Sequence, residues 1–342
     1  MLELDFTAAD LAHTNLAVSP LWELVCSLRV LQTPAREAVY FPWVEDVRTR
    51  VQMLEDLPLL RAIAPSGHYL PDFLTPPPST PLPDLKSELD SLLATPPAVV
   101  RRDLRHAYPQ GMPDVLVSVE RSPKAGLRRV AEALLAYWDC ALADSWHDVR
   151  DLLQSDIVHR GREFATGGAA RLFGDLDPKV TWSGGTLMID NSRCRMSFHA
   201  CRIGTCALHS DFVRLNLGGS GMLLIPSAFA WPSILTITVP ELRPTLIYPA
   251  RGVATLWGDP QPLSSTNSLA RLIGAQRAAL LASLKGPATT TQLARRLSMT
   301  AGGVSQHLAV LRDAALVQSS RSGRMVLYTR TPLGEALVDT TG

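Results

Sequence analysis

"TTTQLARRLSMTAGGVSQHLAVLRDAALVQSSRSGRMVLYTRT", Thr289 to Thr331, packs start and stop signals for several elements into one short run. Thr289 followed by Gln292 is a capping box: the hydroxyl accepts one orphan N–H of the first turn and the amide reaches back to the other. The helix so started carries Leu293 and Leu297, and Ser298-Met299 makes a tight turn. Thr300 then caps a second helix, in which Val304, Leu308 and Leu311 fall on one face. After Leu316-Val317, "QSSRSGRMVLYTR" alternates about Ser322-Gly323, a turn pair between two strand-like arms. Upstream, Leu269, Leu272, Ile273, Leu280, Leu281 and Leu284 predict a helix with a broad apolar face, stopped by Gly286-Pro287. Downstream, Thr331-Pro332 starts a last short helix carrying Leu333 and Leu337.

Helices joined by a short turn and followed by a hairpin are what a winged helix-turn-helix requires, with one helix bracing while the next enters a DNA major groove. If Val304, Leu308 and Leu311 face the core, Gly302, Gln306 and Ala309 lie nearly opposite, with Ser305 toward the flank. Ala301 and Gly302 open this helix, and the pair Gly302-Gly303 leaves room for close approach. Gln306 has the donor and acceptor for bidentate contact with adenine; Ser305 suits either a base edge or a phosphate. His307 sits nearer the buried flank and is read as a packed, hydrogen-bonded residue in preference to a base reader. Arg295, Arg296 and Arg312 are read either as phosphate contacts or as solvated charge. Arg321 and Arg324 flank the tip of the wing, where guanidinium groups reach phosphates or a narrow minor groove.

Charge supports the same end of the chain. From Thr266 to Gly342 there are nine Lys and Arg against three Asp and Glu, a net +6. The rest has 24 against 29, a net −5. This asymmetry fits a polyanion-facing module on a mildly acidic body.

That body holds enough material for further domains, since the chain has 342 residues and 46% hydrophobic content. "LELDF" reads as a strand, and Ser19-Pro20 starts a helix carrying Leu21, Val25, Leu28 and Leu31, with Cys26 beside the stripe. Short helices follow through Ala64, and the prolines of "SGHYLPDFLTPPPSTPLPDL" make an ordered connector. Ser122-Pro123 opens a long helical region in which Trp138, Leu142, Trp146, Val149, Leu153 and Ile157 recur, ended by Gly167-Gly168. The two tryptophans are read as packing residues. Beyond Asp177 the pattern becomes strand-like. "KVTWSGGTLMID" predicts a hairpin, and "FVRLNL", "MLLIP", "SILTITV", "TLIYP" and "GVATLW" are short β-rich runs, read as a mostly antiparallel β or α+β region. "GDPQPLSSTN" has linker composition. The expected organisation is a mainly helical region over 1–176, a β-rich region over 177–258 packed with it, a linker over 259–267, and a winged helix-turn-helix over 268–342. The fold class is α+β multidomain.

At this point a resemblance becomes specific. "LARRLSMTAGGVSQHLAVLRDAALV" with "RSGRMVLYTRTPLG" resembles the ArsR-type winged helix-turn-helix, whose pattern has Val-Ser-x-His-Leu-x-x-Leu in the reader helix, Ala-Gly-Leu-Val at its exit and Tyr at the end of the wing. Ala315 stands where the pattern has Gly. Carried over by position, Ser305 and Gln306 are the first candidates for DNA contact. "LAVSPLWELV", "YLPDFLTPPP", "LLIPSAFAWP" and "YPARGVATLW" are similar to segments of long ArsR-type regulators with an N-terminal domain of unknown function. The resemblance implies a repressor acting as a homodimer on an inverted-repeat operator in double-stranded DNA, released by a small-molecule effector. Members that sense metals often place Cys-x-Cys on the bracing helix; "QLARRLS" has no cysteine.

Other chemistry is thinner. Cys194, His199, Cys201, Cys206 and His209 gather within sixteen residues, with Arg195 and Arg202 beside them to favour thiolates, and could hold a thiophilic metal or sense redox state. Their spacing is not a recognised zinc pattern, so ordinary reduced cysteines are the alternative. "GGSGM", Gly218 to Met222, lacks the spacing of a nucleophile elbow and reads as a tight turn. Asp156 and His159, three apart on a helix, are read as intersegment hydrogen-bonding groups rather than a catalytic pair. The odd count of five cysteines argues for reduced thiols. No stretch is apolar over the roughly 18–20 residues of a spanning helix, and "MLELDFTAADLAH" lacks the pattern of a secretory signal. The expectation is a cytoplasmic regulator with neither a catalytic role nor a cofactor; an enzyme or ligand-binding protein using its winged helix for protein contacts is the rival class.

Overall fold

Strand β1 (Leu2–Asp5) forms where "LELDF" predicts it, yet its partners come from far along the sequence. The computed structural model describes residues 1–33, 38–66, 69–190, 213–257, 267–322 and 325–339. The chain divides into two units, Met1–Trp257 and Gly258–Gly342.

In the first unit, β1 joins β3 (Val180–Ser183), β4 (Thr186–Ile189) and β5 (Val213–Asn216) in a sheet of order β3-β4-β1-β5. A second sheet, of order β2-β6-β8-β7, contains β2 (Asn15–Leu16), β6 (Leu223–Ser227), β7 (Leu235–Ile237) and β8 (Thr245–Pro249). The expected mostly antiparallel pairing is corrected. β1·β5, β2·β6 and β6·β8 are parallel, whereas β1·β4, β3·β4 and β7·β8 are antiparallel. The reason lies in burial. Every residue of β6 and β8 is buried, as in strands covered on both faces. Leu223, Ile225 and Ile247 enter the large helical core, while the alternating Leu224, Leu246 and Tyr248 enter a second core with Leu2, Leu4 and Leu187 of the other sheet. "GVATLW" is no strand: Gly252, at φ 79°, turns the chain into a 3-10 segment, Val253–Thr255.

The helical layer comprises α1 (Ala8–His13), α2 (Pro20–Gln32), α3 (Phe41–Gln52), α4 (Leu57–Ile63), α5 (Leu85–Leu93), α6 (Pro97–Ala107), α7 (Asp114–Arg121), α8 (Pro123–Ala141) and α9 (Trp146–Gly174). Ser19 caps α2 by accepting from the Trp22 N–H, and Glu88 of α5 ties down the same terminus, accepting from Ser19 Oγ at 2.6 Å and from the Leu21 N–H at 2.8 Å. The long helical region expected after Pro123 is interrupted at Leu142–Ser145, across which the rings of Trp138 and Trp146 pack at 5.0 Å. Gly168 does not end it. At φ 62° and ψ −153° it breaks the helical path, which resumes to Gly174. No helix among the described residues is long and apolar enough to cross a membrane.

The second unit contains α10 (Asn267–Ile273), α11 (Ala275–Ser283), α12 (Thr290–Arg296), α13 (Ala301–Asp313), β9 (Val317–Ser322), β10 (Met325–Arg330) and α14 (Pro332–Asp339). The single helix expected before Gly286 is two helices, divided at Gly274 with φ 87°. Leu272 is consequently 72% exposed rather than part of the apolar face, while Leu269, Leu280, Leu281 and Leu284 are buried. Together the elements form a mixed α+β chain with a helical N-terminal region, a sheet-containing middle, and a C-terminal helical module with a hairpin.

Candidate nucleic-acid interface

The capping box that starts α12 forms as its residues dictate, with Gln292 N–H donating to Thr289 Oγ1 at 3.3 Å and Thr289 N–H donating to Gln292 Oε1 at 2.6 Å. Its other end is closed by Ser298 in the left-handed region at φ 51°. Met299 N–H reaches Ala294 O at 2.8 Å and Ser298 N–H reaches Arg295 O at 3.3 Å, the paired bonds of a Schellman stop. This is the tight turn expected at Ser298-Met299. It releases the chain after two residues, and Thr300 caps α13 by accepting from Gly303 N–H at 3.2 Å.

α13 seats Val304, Leu308 and Leu311 in the core of the unit together with Leu280, Leu281 and Leu293. Ala301, Gly302, Ser305 and Gln306 are exposed on its N-terminal half, where the helix dipole has its positive end. Ala309, expected on the outer stripe, is half-buried, and Val310 is 45% exposed. A side chain at Gly302 would touch nothing within 4 Å, whereas one at Gly303 would meet Thr300 Oγ1 at 3.1 Å. The bareness at Gly302 is therefore not demanded by packing. His307 is half-buried, and its Nε2 donates to Gln276 Oε1 at 2.7 Å, tying the exposed helix to α11. That bond agrees with a packed histidine.

α13 ends like α12. Ala315 sits at φ 54°, with Leu316 N–H on Leu311 O and Ala315 N–H on Arg312 O, both at 2.9 Å. β9 and β10 pair antiparallel from Val317↔Arg330 to Ser322↔Met325. Ala288 adds a bridge to Tyr328, with bonds of 2.8 and 3.0 Å, so the hairpin is fastened to the chain just before the brace. Sequence reading misses that bridge, since a single paired residue has no periodicity.

Of the basic residues, Arg330 is structural. Its side chain is 8% exposed, donates Nε to Leu284 O at 2.8 Å and pairs with Glu335 at 3.4 Å. Arg277 is half-buried and donates to Ile273 O at 3.2 Å. Lys285, Arg295, Arg312 and Arg321 are exposed, Arg321 lying opposite Val326 near the end of the hairpin. Arg324 lies outside the described residues, as do Cys194, His199, Cys201, Cys206 and His209. Among the described residues no group of three or more His, Cys, Asp or Glu could hold a metal ion. Burial pushes the Cys26 thiol up to about 12, an unreactive state.

The remaining chemical candidates sit in the first unit. Asp156 accepts from Tyr248 OH at 2.7 Å and from Arg251 N–H at 3.1 Å, with the fully buried Arg160 one turn on. His159 meets Arg251 and Asp175. These groups tie α9 to the end of β8. "GGSGM" is a tight turn, with Gly218, Gly219 and Gly221 all at positive φ. A Cβ at Gly221 would come within 2.5 Å of the His13 backbone, so glycine is required there by close approach.

The family described as "Helix-turn-helix domain" matches residues 276–319, from α11 into β9. No curated protein matches the chain. Among solved structures, reduced HlyU from Vibrio cholerae N16961 is 25% identical over 22% of this chain and 87% of its own, with a TM-score of 0.19. The family match over residues 276–319 gives the C-terminal unit a helix-turn-helix domain, here with an adjoining hairpin, a module of DNA binding and transcription regulation.

Proposed function

We propose that the chain is a sequence-specific transcriptional regulator of the ArsR type, a repressor that leaves its operator when an effector binds. It works by binding, without a catalytic step. The observation that carries this reading is the exposed N-terminal face of α13, with Ala301, Gly302, Ser305 and Gln306 presented outward in a segment of net charge +6 and Val304, Leu308 and Leu311 holding the helix from behind. Gln306 reads a base edge; Ser305 contacts a base or phosphate; Arg321 and Arg324 hold the wing to the backbone. Two copies related by a two-fold axis place their reader helices about one DNA turn apart on an inverted repeat. An effector acts only if it binds the DNA-competent and DNA-incompetent states with different affinity, and the first unit is where it binds. The protein works in the cytoplasm.

The test is footprinting of the purified chain on its own genomic DNA, followed by gel shifts on the recovered site. An inverted repeat protected in two half-sites is the expected result. Protection of a single half-site by a monomer would remove the dimer from this reading, and absence of any protected site would remove the reading itself.

A further inference from the structure

We propose that the first unit carries a small-molecule site between α3 and the break joining α8 to α9, and that its ligand is a small organic cation with a flat apolar body. A cavity of about 220 Å³ lies there, walled by Pro42, Trp43 and Trp257, with Asp46, Arg50 and Asp144 around it. An apolar cavity of about 150 Å³ is enough to take a benzene ring. The volume therefore suits one ring with a compact head group.

Two features set the chemistry. Trp43 is fixed: it is 3% exposed, donates Nε1 to Ala141 O at 3.1 Å, and packs on Phe229 with ring centres 4.7 Å apart. Trp257 completes the wall, its ring 6.1 Å from Trp43 and 5.6 Å from Phe229. Its indole nitrogen has no hydrogen-bond partner among the described residues, so stacking sets the ring's position. Around the cavity one guanidinium faces two carboxylates, with Arg50 2.7 Å from Asp46 and 3.4 Å from Asp144. Both carboxylates are largely exposed, at 72% and 87%. An anion would have to displace them from Arg50 and then lie beside the half-buried Trp257 ring. A cation meets the carboxylate excess and the electron-rich Trp257 ring together.

Trp257 is also the last residue of its unit, and residues 258–266 lead from it to α10. A ligand stacked on Trp257 thus acts at the end of the chain segment that carries the DNA-binding unit. This regulatory consequence rests on the function proposed above; the site itself does not.

The test is calorimetric titration of the full chain with benzyltrimethylammonium, benzyl alcohol and benzoate, which share a ring and differ in charge. Saturable binding of the cation, weaker binding of the alcohol and none of benzoate are expected. Trp257→Ala should weaken cation binding by about tenfold or more, and Asp144→Asn by a smaller factor, while Trp257→Phe keeps most of it. Melting curves show whether each variant is folded, and exposed Asp144 carries the test if the Trp257 variants are not. No saturable heat with the cation, equal binding of benzoate, or unchanged affinity in folded Trp257→Ala and Asp144→Asn overturns the proposal. Retention of genomic DNA, measured without any probe, separates the two readings. DNA retained without cation binding removes the site and leaves the regulator, whereas cation bound without DNA retention removes the regulatory link and leaves the site.

Discussion

Ala315 holds a backbone conformation, φ 54°, that an L residue adopts at a cost of roughly 1–2 kcal/mol. Glycine removes that cost but gives back part of it as extra freedom in the unfolded chain. Ala315→Gly should therefore stabilise the second unit by about 0.5–1 kcal/mol, measured as slower amide exchange in α13 and β9; faster exchange would contradict the assigned turn. Gly302 presents the opposite case. Open space surrounds its missing Cβ, so Gly302→Ala should leave the fold intact or raise its stability by about 0.5–1 kcal/mol. If DNA approaches this face, the same methyl weakens operator binding. Gln306→Ala should cost about 1–3 kcal/mol on the operator and relax preference at one base pair. An affinity ratio between the original and changed base pair that stays the same in wild type and Gln306→Ala, at every position of the site, would remove Gln306 as a reader.

At the scale of elements, the brace, turn and reader were legible because each is set by local chemistry. Thr289 and Gln292 announce a capping box, Thr300 a second cap, and the spacing of Val304, Leu308 and Leu311 a buried face; all are found. What was not legible depends on contacts distant in sequence. Apolar runs such as "MLLIP" and "TLIYP" do not reveal the direction of their neighbours, and burial on both faces, which marks β6 and β8 as parallel partners, is a tertiary property. Gly274 illustrates another limit: within an apolar stripe a glycine reads as tolerated, yet at φ 87° it divides α10 from α11 and leaves Leu272 in solvent. The hairpin carries its own prediction. Arg321 is exposed beside its tip, so Arg321→Ala should weaken binding to all DNA sequences alike and reduce the salt slope by about one phosphate contact. A loss confined to one sequence would make it a base reader instead.

Across the whole molecule, the two units answer to different variables. On the proposed function, the second answers to salt, through the phosphate contacts expected of its exposed arginines. The first contains buried carboxyl groups that answer to pH. Burial pushes Glu23 up to about 8 and Glu88 and Asp72 to about 7. Asp103 is raised to about 6 by the same cause. A carboxyl group whose folded value lies above its unfolded value holds its proton more tightly in the folded state. Its contribution is complete below the unfolded value, near 4.5 for Glu and 3.8 for Asp, and is lost as pH rises through the folded value. The first unit should therefore melt at lower temperature at pH 8.5 than at pH 5.5. Glu23→Gln should flatten that dependence; a slope of opposite sign would contradict the buried, protonated assignment.

The most direct test of the central claim is selection of genomic fragments by the full chain, with affinity for the recovered site measured against salt for wild type and Gln306→Ala. Enrichment of a discrete sequence is predicted, bound less tightly as salt rises and more weakly by the variant at every salt concentration. Recovery of no preferred sequence, or binding indifferent to both salt and Gln306, would contradict it.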